Sequence, residues 1–147
     1  MSCIFCKIIK GEIPSIKIAE TAKSYAFMDI GPLSVGHCLV IPKECKPKFH
    51  ELSEDSCADL GVLLSRVSRA VGAENYNILQ NNGAIANQAV FHVHFHIIPK
   101  NTKEDGLIIG WEPKGKIAKD TIAALGAEVA EKVKALTAEA EAKAGKQ

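Results

Sequence analysis

Three histidines alternate with apolar residues in His92-Val93-His94-Phe95-His96. Successive side chains of a strand point to opposite faces, so the three imidazoles share one face while Val93, Phe95 and Ile97 pack behind them. At a rise of about 3.3 Å per residue, neighbouring imidazoles start roughly 6.6 Å apart and the outer pair roughly 13 Å apart. A zinc ion needs each nitrogen at about 2.0–2.1 Å in tetrahedral array, so one ion on all three would strain a straight strand, whereas two could share it. A zinc hydrolase with His92 and His94 as ligands is disfavoured, because no third ligand or carboxylate base follows at a recognisable spacing. The other chemistry is nucleophilic. With an unperturbed pKa of about 6.5, a neutral imidazole carries one lone-pair nitrogen that can attack phosphorus. Its neighbours can orient it, donate hydrogen bonds to non-bridging oxygens and help a leaving group take its proton. The plain alternative, polar residues on an exposed strand, would leave all five histidines of the chain idly placed.

The residues before this segment suit an anionic ligand. In Asn81-Asn82-Gly83-Ala84-Ile85-Ala86-Asn87-Gln88, Gly83 allows close backbone approach and Asn87 and Gln88 offer amide donors, although alone such a loop reads equally well as a solvated turn. A second constellation is Cys3-Ile4-Phe5-Cys6, whose CxxC spacing permits metal binding, redox chemistry or neither. A redox CxxC opens a helix after a strand, and nothing strand-like precedes Cys3, so zinc ranks above redox. Two further ligands are then required, with His50 in reserve. Cys38 and Cys57 read as small core residues. With five cysteines in a chain that lacks a signal-like start, reduced thiols are expected, and the reading is cytoplasmic, with the nucleus as a second location.

These groups need a scaffold. At 147 residues the length suits one domain, and a formal charge of +1 gives no broad field for nucleic acid or an anionic membrane, so neither is expected as a partner. Cys3 to Lys10 suits a short helix stopped by Gly11. Ile16–Glu20, Ser24–Asp29, His37–Pro42, Tyr76–Gln80 and His92–Pro99 read as strands, and Leu107–Gly110 could form one more. Ser53 is a good N-cap, followed by Leu60, Leu63, Leu64, Val67 and Val71 at helical spacing up to Gly72. From Asp120 onward, Ile122, Leu125, Val129, Val133 and Leu136 mark one face of a docked C-terminal helix that frays near Gly145. The elements follow no βαβ rhythm, so the class is α+β.

His92-Val93-His94-Phe95-His96-Ile97-Ile98 resembles the signature of the histidine-triad nucleotide-binding (HIT) superfamily. Ala26-Phe27-Met28-Asp29-Ile30, Gly36-His37-Cys38-Leu39-Val40-Ile41-Pro42-Lys43 and Asn81-Asn82-Gly83 strengthen the likeness, which spans residues 3 to 111. It looks most like the Hint branch, and this implies a homodimer sharing one antiparallel sheet, five strands per chain with one main helix. Residues 1–115 would be the HIT domain and 116–147 a helical extension of it. The resemblance implies hydrolysis of purine nucleoside phosphoramidates such as adenylyl-lysine. His94 would be the nucleophile, His96 would lie near the phosphate or leaving group, and His92 and His37 would orient the site. Asn81, Gln88 and the backbone of Ala89 would meet ribose and phosphate, Asp29 would accept from ribose hydroxyls, and Phe5, Ile8, Phe27 and Ile30 would sandwich the base; the apolar four are equally plain core candidates. Relatives bearing CxxC place a histidine where this chain has Cys45 and use the first triad histidine as fourth ligand, which implies a structural zinc on Cys3, Cys6, Cys45 and His92.

Two features depart from the pattern. Asn87-Gln88-Ala89 stands where many relatives have Gly-Gln-Ser or Gly-Gln-Thr, so a hydroxyl beside the leaving group is missing. Gly110-Trp111 is followed by a whole extra helix, where vertebrate Hint proteins end soon after the sheet. The leading reading is an enzyme forming a nucleotidyl-histidine on His94, then hydrolysed by water, with no catalytic metal. A nucleotide-binding scaffold of low turnover, kept open by Ala89, and a dinucleoside polyphosphate hydrolase are the alternatives.

Overall fold

The computed structural model describes residues 3–146. Its first compact unit runs to Ile109. Within it, α1 (Ile4–Ile9), β1 (Lys17–Glu20), β2 (Ser24–Met28), β3 (Cys38–Pro42), α2 (Glu54–Val71), β4 (Tyr76–Leu79) and β5 (Phe95–Pro99) follow in order. The strands form one five-stranded sheet in the order β1-β2-β3-β5-β4, with every neighbouring pair antiparallel. This is the α+β arrangement that the sequence predicts.

Alternation along β2, β3 and β5 divides the sheet into two faces. Ala26, Cys38, Val40 and Ile97 join Leu60, Leu63 and Val67 of α2 and Val93 in the larger core, with Cys57 packed at its margin. On the other face Tyr25, Phe27, Leu39 and Ile41 gather Phe5 and Ile8 of α1 into a smaller cluster. The sheet is therefore a floor with a packed underside and a functional upper side. α2 forms where expected: the Ser53 hydroxyl oxygen accepts from the Ser56 amide and Gly72 ends it in the left-handed conformation. Glu44 locks the approach to that helix, its carboxylate accepting from the Ser53 amide and hydroxyl and from the Ser56 hydroxyl.

Two expectations need correction. The ladder begins at Phe95 rather than His92, and His92 itself lies in a bend. The His92 carbonyl accepts from the His94 imidazole and the Val93 amide donates to Lys46 O, so these bonds are made outside the ladder. Leu107–Gly110 forms no strand. The Lys100 ammonium draws the carbonyls of Lys103, Asp105 and Leu107 around itself at 3.0, 2.6 and 3.3 Å, curling the segment into a loop. Gly106 permits the curl at φ +73°, where a Cβ would meet Pro99 O at 2.6 Å.

The second unit begins at Gly110 and contains α3 (Lys119–Ala144), none of whose residues is buried. Its apolar stripe, Ile122, Leu125, Val129, Val133 and Leu136, is 48–63% exposed. The Ala, Glu and Lys content and the Glu128–Lys132 pair at 2.7 Å support the helix without a buried face. Among the described residues, no helix is long and apolar enough to cross a membrane.

Ile97 is fully buried beneath the histidine face. Ile97→Ala is expected to lower unfolding free energy by about 2–5 kcal/mol, whereas Ile109→Ala, at a 55% exposed position, should stay within about 0.5 kcal/mol. Urea titration followed by circular dichroism measures both.

Candidate active site and metal centre

A cavity of about 310 Å³ opens on the α1 side of the sheet, lined by Phe5 and Ile8 from α1, Phe27, Asp29 and Ile30 from β2 and its end, Ala89, His94 and His96. Of the residues assigned from sequence to base, ribose, phosphate and catalysis, these eight share one space. Ile4, Ile13, Ser15, Leu39 and Val90 also line it. Sequence reasoning did not assign these; alternation in β3 was the available signal for Leu39, since it places that residue on the face opposite Val40.

The four imidazoles have their protons placed by hydrogen bonding, because a carbonyl can only accept and an amide N–H can only donate. His94 donates from Nδ1 to the His92 carbonyl at 2.7 Å, so its Nε2 keeps the lone pair. His92 donates from Nε2 to Pro42 O at 2.8 Å, which leaves Nδ1 as the lone-pair nitrogen. The Leu33 amide donates to His37 Nδ1 at 3.0 Å, forcing the His37 proton onto Nε2. That Nε2 lies 3.0 Å from His96 Nδ1 and donates to it, and the neutral His96 ring then carries its proton on Nε2. Leu33 was missed from sequence because a backbone amide leaves no trace in residue type.

His37 owes its position to the loop after β2. Asp29 Oδ1 accepts from the Gly31 amide at 2.7 Å, and the Ser34 hydroxyl donates to Pro99 O at 2.6 Å. Gly36 sits at φ +95° with an added Cβ only 3.1 Å from Pro99 Cγ, so the turn closes tightly on the end of β5. Asp29 Oδ2 lies 3.4 Å from His37 Nε2. This is no ion pair, because burial lowers the His37 pKa below its usual value against the opposing pull of Asp29. Burial likewise lowers His94, with the His92 carbonyl pulling the other way, and lowers His96 to about 4, helped by His94 and His37. Asp29, His37 and His96 also stand close enough for a metal. The Leu33 amide argues against one, since neutral His37 could bind a metal through Nε2 only with its proton on Nδ1, where that amide already points.

Gln88 and Asn81 do not line the cavity. Gln88 is buried and saturated: its amide donates to Pro47 O and Val90 O at 2.7 and 3.0 Å and its oxygen accepts from the Gly83 amide at 2.7 Å. Asn81 donates to Asn87 O at 3.2 Å. Both hold the loop in shape, and Asn87 adopts the left-handed conformation at φ +68°.

His92 turns away from the cavity toward the thiols. Cys3 Sγ, Cys6 Sγ, Cys45 Sγ and a ring nitrogen of His92 all lie within 4.8 Å of one another. His92 Nδ1 stands 3.2 Å from Cys3 Sγ and 3.6 Å from Cys6 Sγ. A tetrahedral zinc with sulfur at about 2.3 Å and nitrogen at about 2.0–2.1 Å holds its ligands roughly 3.5–3.8 Å apart, so spacing and donor set fit a metal. The thiols are not independent: burial pushes Cys6 up to about 12, helped by Cys3 and Cys45. For Cys3, burial acts upward but is outweighed by hydrogen bonds from Cys6, which bring it below its usual value. His50, the reserve ligand, is not in this group.

The HIT domain family matches residues 10–103. The adenosine 5'-monophosphoramidase of Schizosaccharomyces pombe is 60% identical over 134 residues, covering 91% of this chain and all of that protein. The adenosine 5'-monophosphoramidase of Saccharomyces cerevisiae is 47% identical over 131 residues, covering 84% of this chain and 83% of the relative. Among solved structures, the histidine triad nucleotide-binding protein from Candida albicans superposes with a TM-score of 0.83 at 42% identity, covering 92% of this chain and 99% of that one. With the motif, the five-stranded sheet and these relatives in agreement, the chain belongs to the HIT domain family.

Proposed function

We propose that this chain is a purine nucleoside phosphoramidase, a hydrolase of the AMP-amidate and adenylyl-lysine type that works through a nucleotidyl-histidine. The observation that carries the reading is His94: its Nδ1–H is held by the His92 carbonyl at 2.7 Å, so Nε2 is a lone pair beside the cavity. In the first step Nε2 attacks phosphorus and the bond from phosphorus to the leaving nitrogen breaks. The departing amine takes its proton from solvent, while the N–H on Nε2 of neutral His96 is suited to donate a hydrogen bond to a phosphoryl oxygen or the leaving nitrogen. The phosphorylated ring is then cationic, and its Nδ1–H bond to the carbonyl stabilises that charge. Water attacks phosphorus next, the P–N bond to His94 breaks, and nucleoside monophosphate is released. Phe5, Ile8, Phe27 and Ile30 would hold the base and Asp29 the ribose hydroxyls, with Ala89 beside the phosphate. The names of the relatives support this substrate class. Ala89 keeps a second reading in view, a nucleotide-binding scaffold of low turnover, because no hydroxyl there assists the leaving group.

Cys3, Cys6, Cys45 and His92 would hold zinc, which would supply structural rigidity rather than chemistry on the substrate. A homodimer sharing its sheet is part of the proposal; the exposed Tyr76 and Ile78 on edge strand β4 support it. Residues 1–115 would carry the reaction, with 116–147 as their extension. A cytoplasmic and nuclear location is the compartment in which such thiols stay reduced.

His94→Asn is expected to reduce turnover on the order of a thousandfold or more while nucleotide affinity changes by less than roughly tenfold. Rapid-quench intact mass with an adenosine phosphoramidate should show a nucleotide-sized adduct on the native protein and none on the variant. Near-native turnover by His94→Asn would sink the mechanism. Purified protein is expected to bind about one zinc per chain; Cys45→Ala should lower zinc content, melting temperature and rate together, and Cys45→His should restore all three. Elemental analysis and thermal melts measure this, and a Cys45→Ala variant with native zinc content would remove Cys45 from the ligand set.

The fold favours the neutral form of His37, His94 and His96, all below the ordinary 6.5. Their contribution to stability is therefore present above pH 6.5 and lost as pH falls toward the His96 value of about 4. Melting temperature measured against pH should be level just above 6.5 and drop through that window, and a flat profile would contradict neutral burial.

A further inference from the structure

The cavity is lined mostly by apolar side chains. Asp29, His94 and His96 cluster together, and the remaining lining is apolar except for Ser15. Ser15 Oγ lies 3.0 Å from the hydroxyl of Tyr25, and either hydroxyl can donate to the other. Tyr25 is buried in the cluster with Phe27 and Phe5. Ser15 leads into β1, whose register sets Lys17 opposite Phe27 of β2, whereas the histidines belong to β5, three strand spacings away across β2 and β3, so the two ends of the floor lie roughly 14 Å apart with the Phe27 ring between them. The floor therefore runs from the histidines, past an aromatic ring, to a hydroxyl pair. A hydroxyl has one proton and two lone pairs, so the pair keeps hydrogen-bonding capacity whichever member donates.

We propose that Ser15, backed by Tyr25, is the specificity-determining contact for the purine edge farthest from the sugar, and that it accepts 6-amino and 6-oxo purines alike. The inference rests on the reading of this cavity as the nucleotide site. A nucleotide with its phosphorus at His94 and its base over Phe27 directs that far edge along the floor toward Ser15. When Tyr25 donates to Ser15, the Ser15 proton is free to meet a 6-oxo oxygen. When Ser15 donates to Tyr25, its lone pairs face a 6-amino group. Reversing two hydroxyl rotors moves no heavy atom, so one site serves both adenine and guanine. A purine without a 6-substituent lacks that partner.

The test is a steady-state comparison of the phosphoramidates of adenosine, guanosine and 6-unsubstituted purine riboside on native protein, Ser15→Ala and Tyr25→Phe. Native protein should turn over the adenosine and guanosine substrates within about tenfold of each other and show a roughly five- to tenfold higher KM for the unsubstituted purine, with kcat little changed. Ser15→Ala should raise KM for the first two by a similar roughly five- to tenfold factor and cost the unsubstituted substrate less than about twofold more. Tyr25→Phe, which keeps the ring packing, should alter the adenosine-to-guanosine ratio because the hydroxyl relay is broken. Equal losses on all three substrates in Ser15→Ala, or no penalty on the unsubstituted purine with native protein, would overturn the assignment. Turnover of the adenosine substrate in those same runs keeps the parent reading separate, since failure of that reading would show as native protein turning over none of the three substrates.

Discussion

A backbone carbonyl has no proton to give, and much of this site follows from that asymmetry. The His92 carbonyl takes the His94 Nδ1 proton at 2.7 Å, the Pro42 carbonyl takes the His92 Nε2 proton at 2.8 Å, and the Leu33 amide closes the remaining choice at His37. Imidazole tautomers interconvert readily in water, but here each is selected by a main-chain group that side-chain motion cannot reassign. One segment thus holds three chemically different rings: a thiol-facing Nδ1, a cavity-facing lone pair and a cavity-facing donor. His92 links the two centres. Its ring addresses the thiols while its carbonyl orients the His94 ring, so any force that shifts residue 92 is felt at both.

The same bond explains why the ladder starts late. A regular strand would direct the His92 carbonyl toward a neighbour, and β5 instead begins at Phe95. Val93, bonded to Lys46, remains wholly buried in the larger core. The departure from regular pairing is therefore anchored on the apolar side and carries the imidazoles on the other. Packing beneath and hydrogen bonding above act on the same few residues, which is why a site made of small rings keeps its geometry.

The sequence was most informative where chemistry and period coincide. Alternation placed His94 and His96 on one face and Val93 and Ile97 on the other, and the α2 boundaries at Ser53 and Gly72 followed from capping alone. The group Cys3, Cys6, Cys45 and His92 followed from resemblance, since nothing in the spacing of Cys45 announces that it meets the CxxC pair. Interactions independent of residue type stayed hidden. The Leu33 amide belongs to a leucine like any other, and Gln88, an obvious ligand donor by type, is saturated by three loop partners. Leu107–Gly110 has strand composition, but a lysine seven residues before Leu107 claims its carbonyl. The stripe on α3 has the period of a buried face, and period alone does not say whether anything covers it.

The cavity lining contains neither lysine nor arginine, and its histidines are held neutral by burial. A phosphoryl group bound there is met by neutral N–H dipoles rather than by a cation. Coulomb attraction grows with ligand charge, so a cationic cleft would grip the more highly charged monophosphate product harder than the phosphoramidate from which it came. A lining without lysine or arginine lacks that bias. A product bound there would leave without having to break an ion pair with a lysine or arginine.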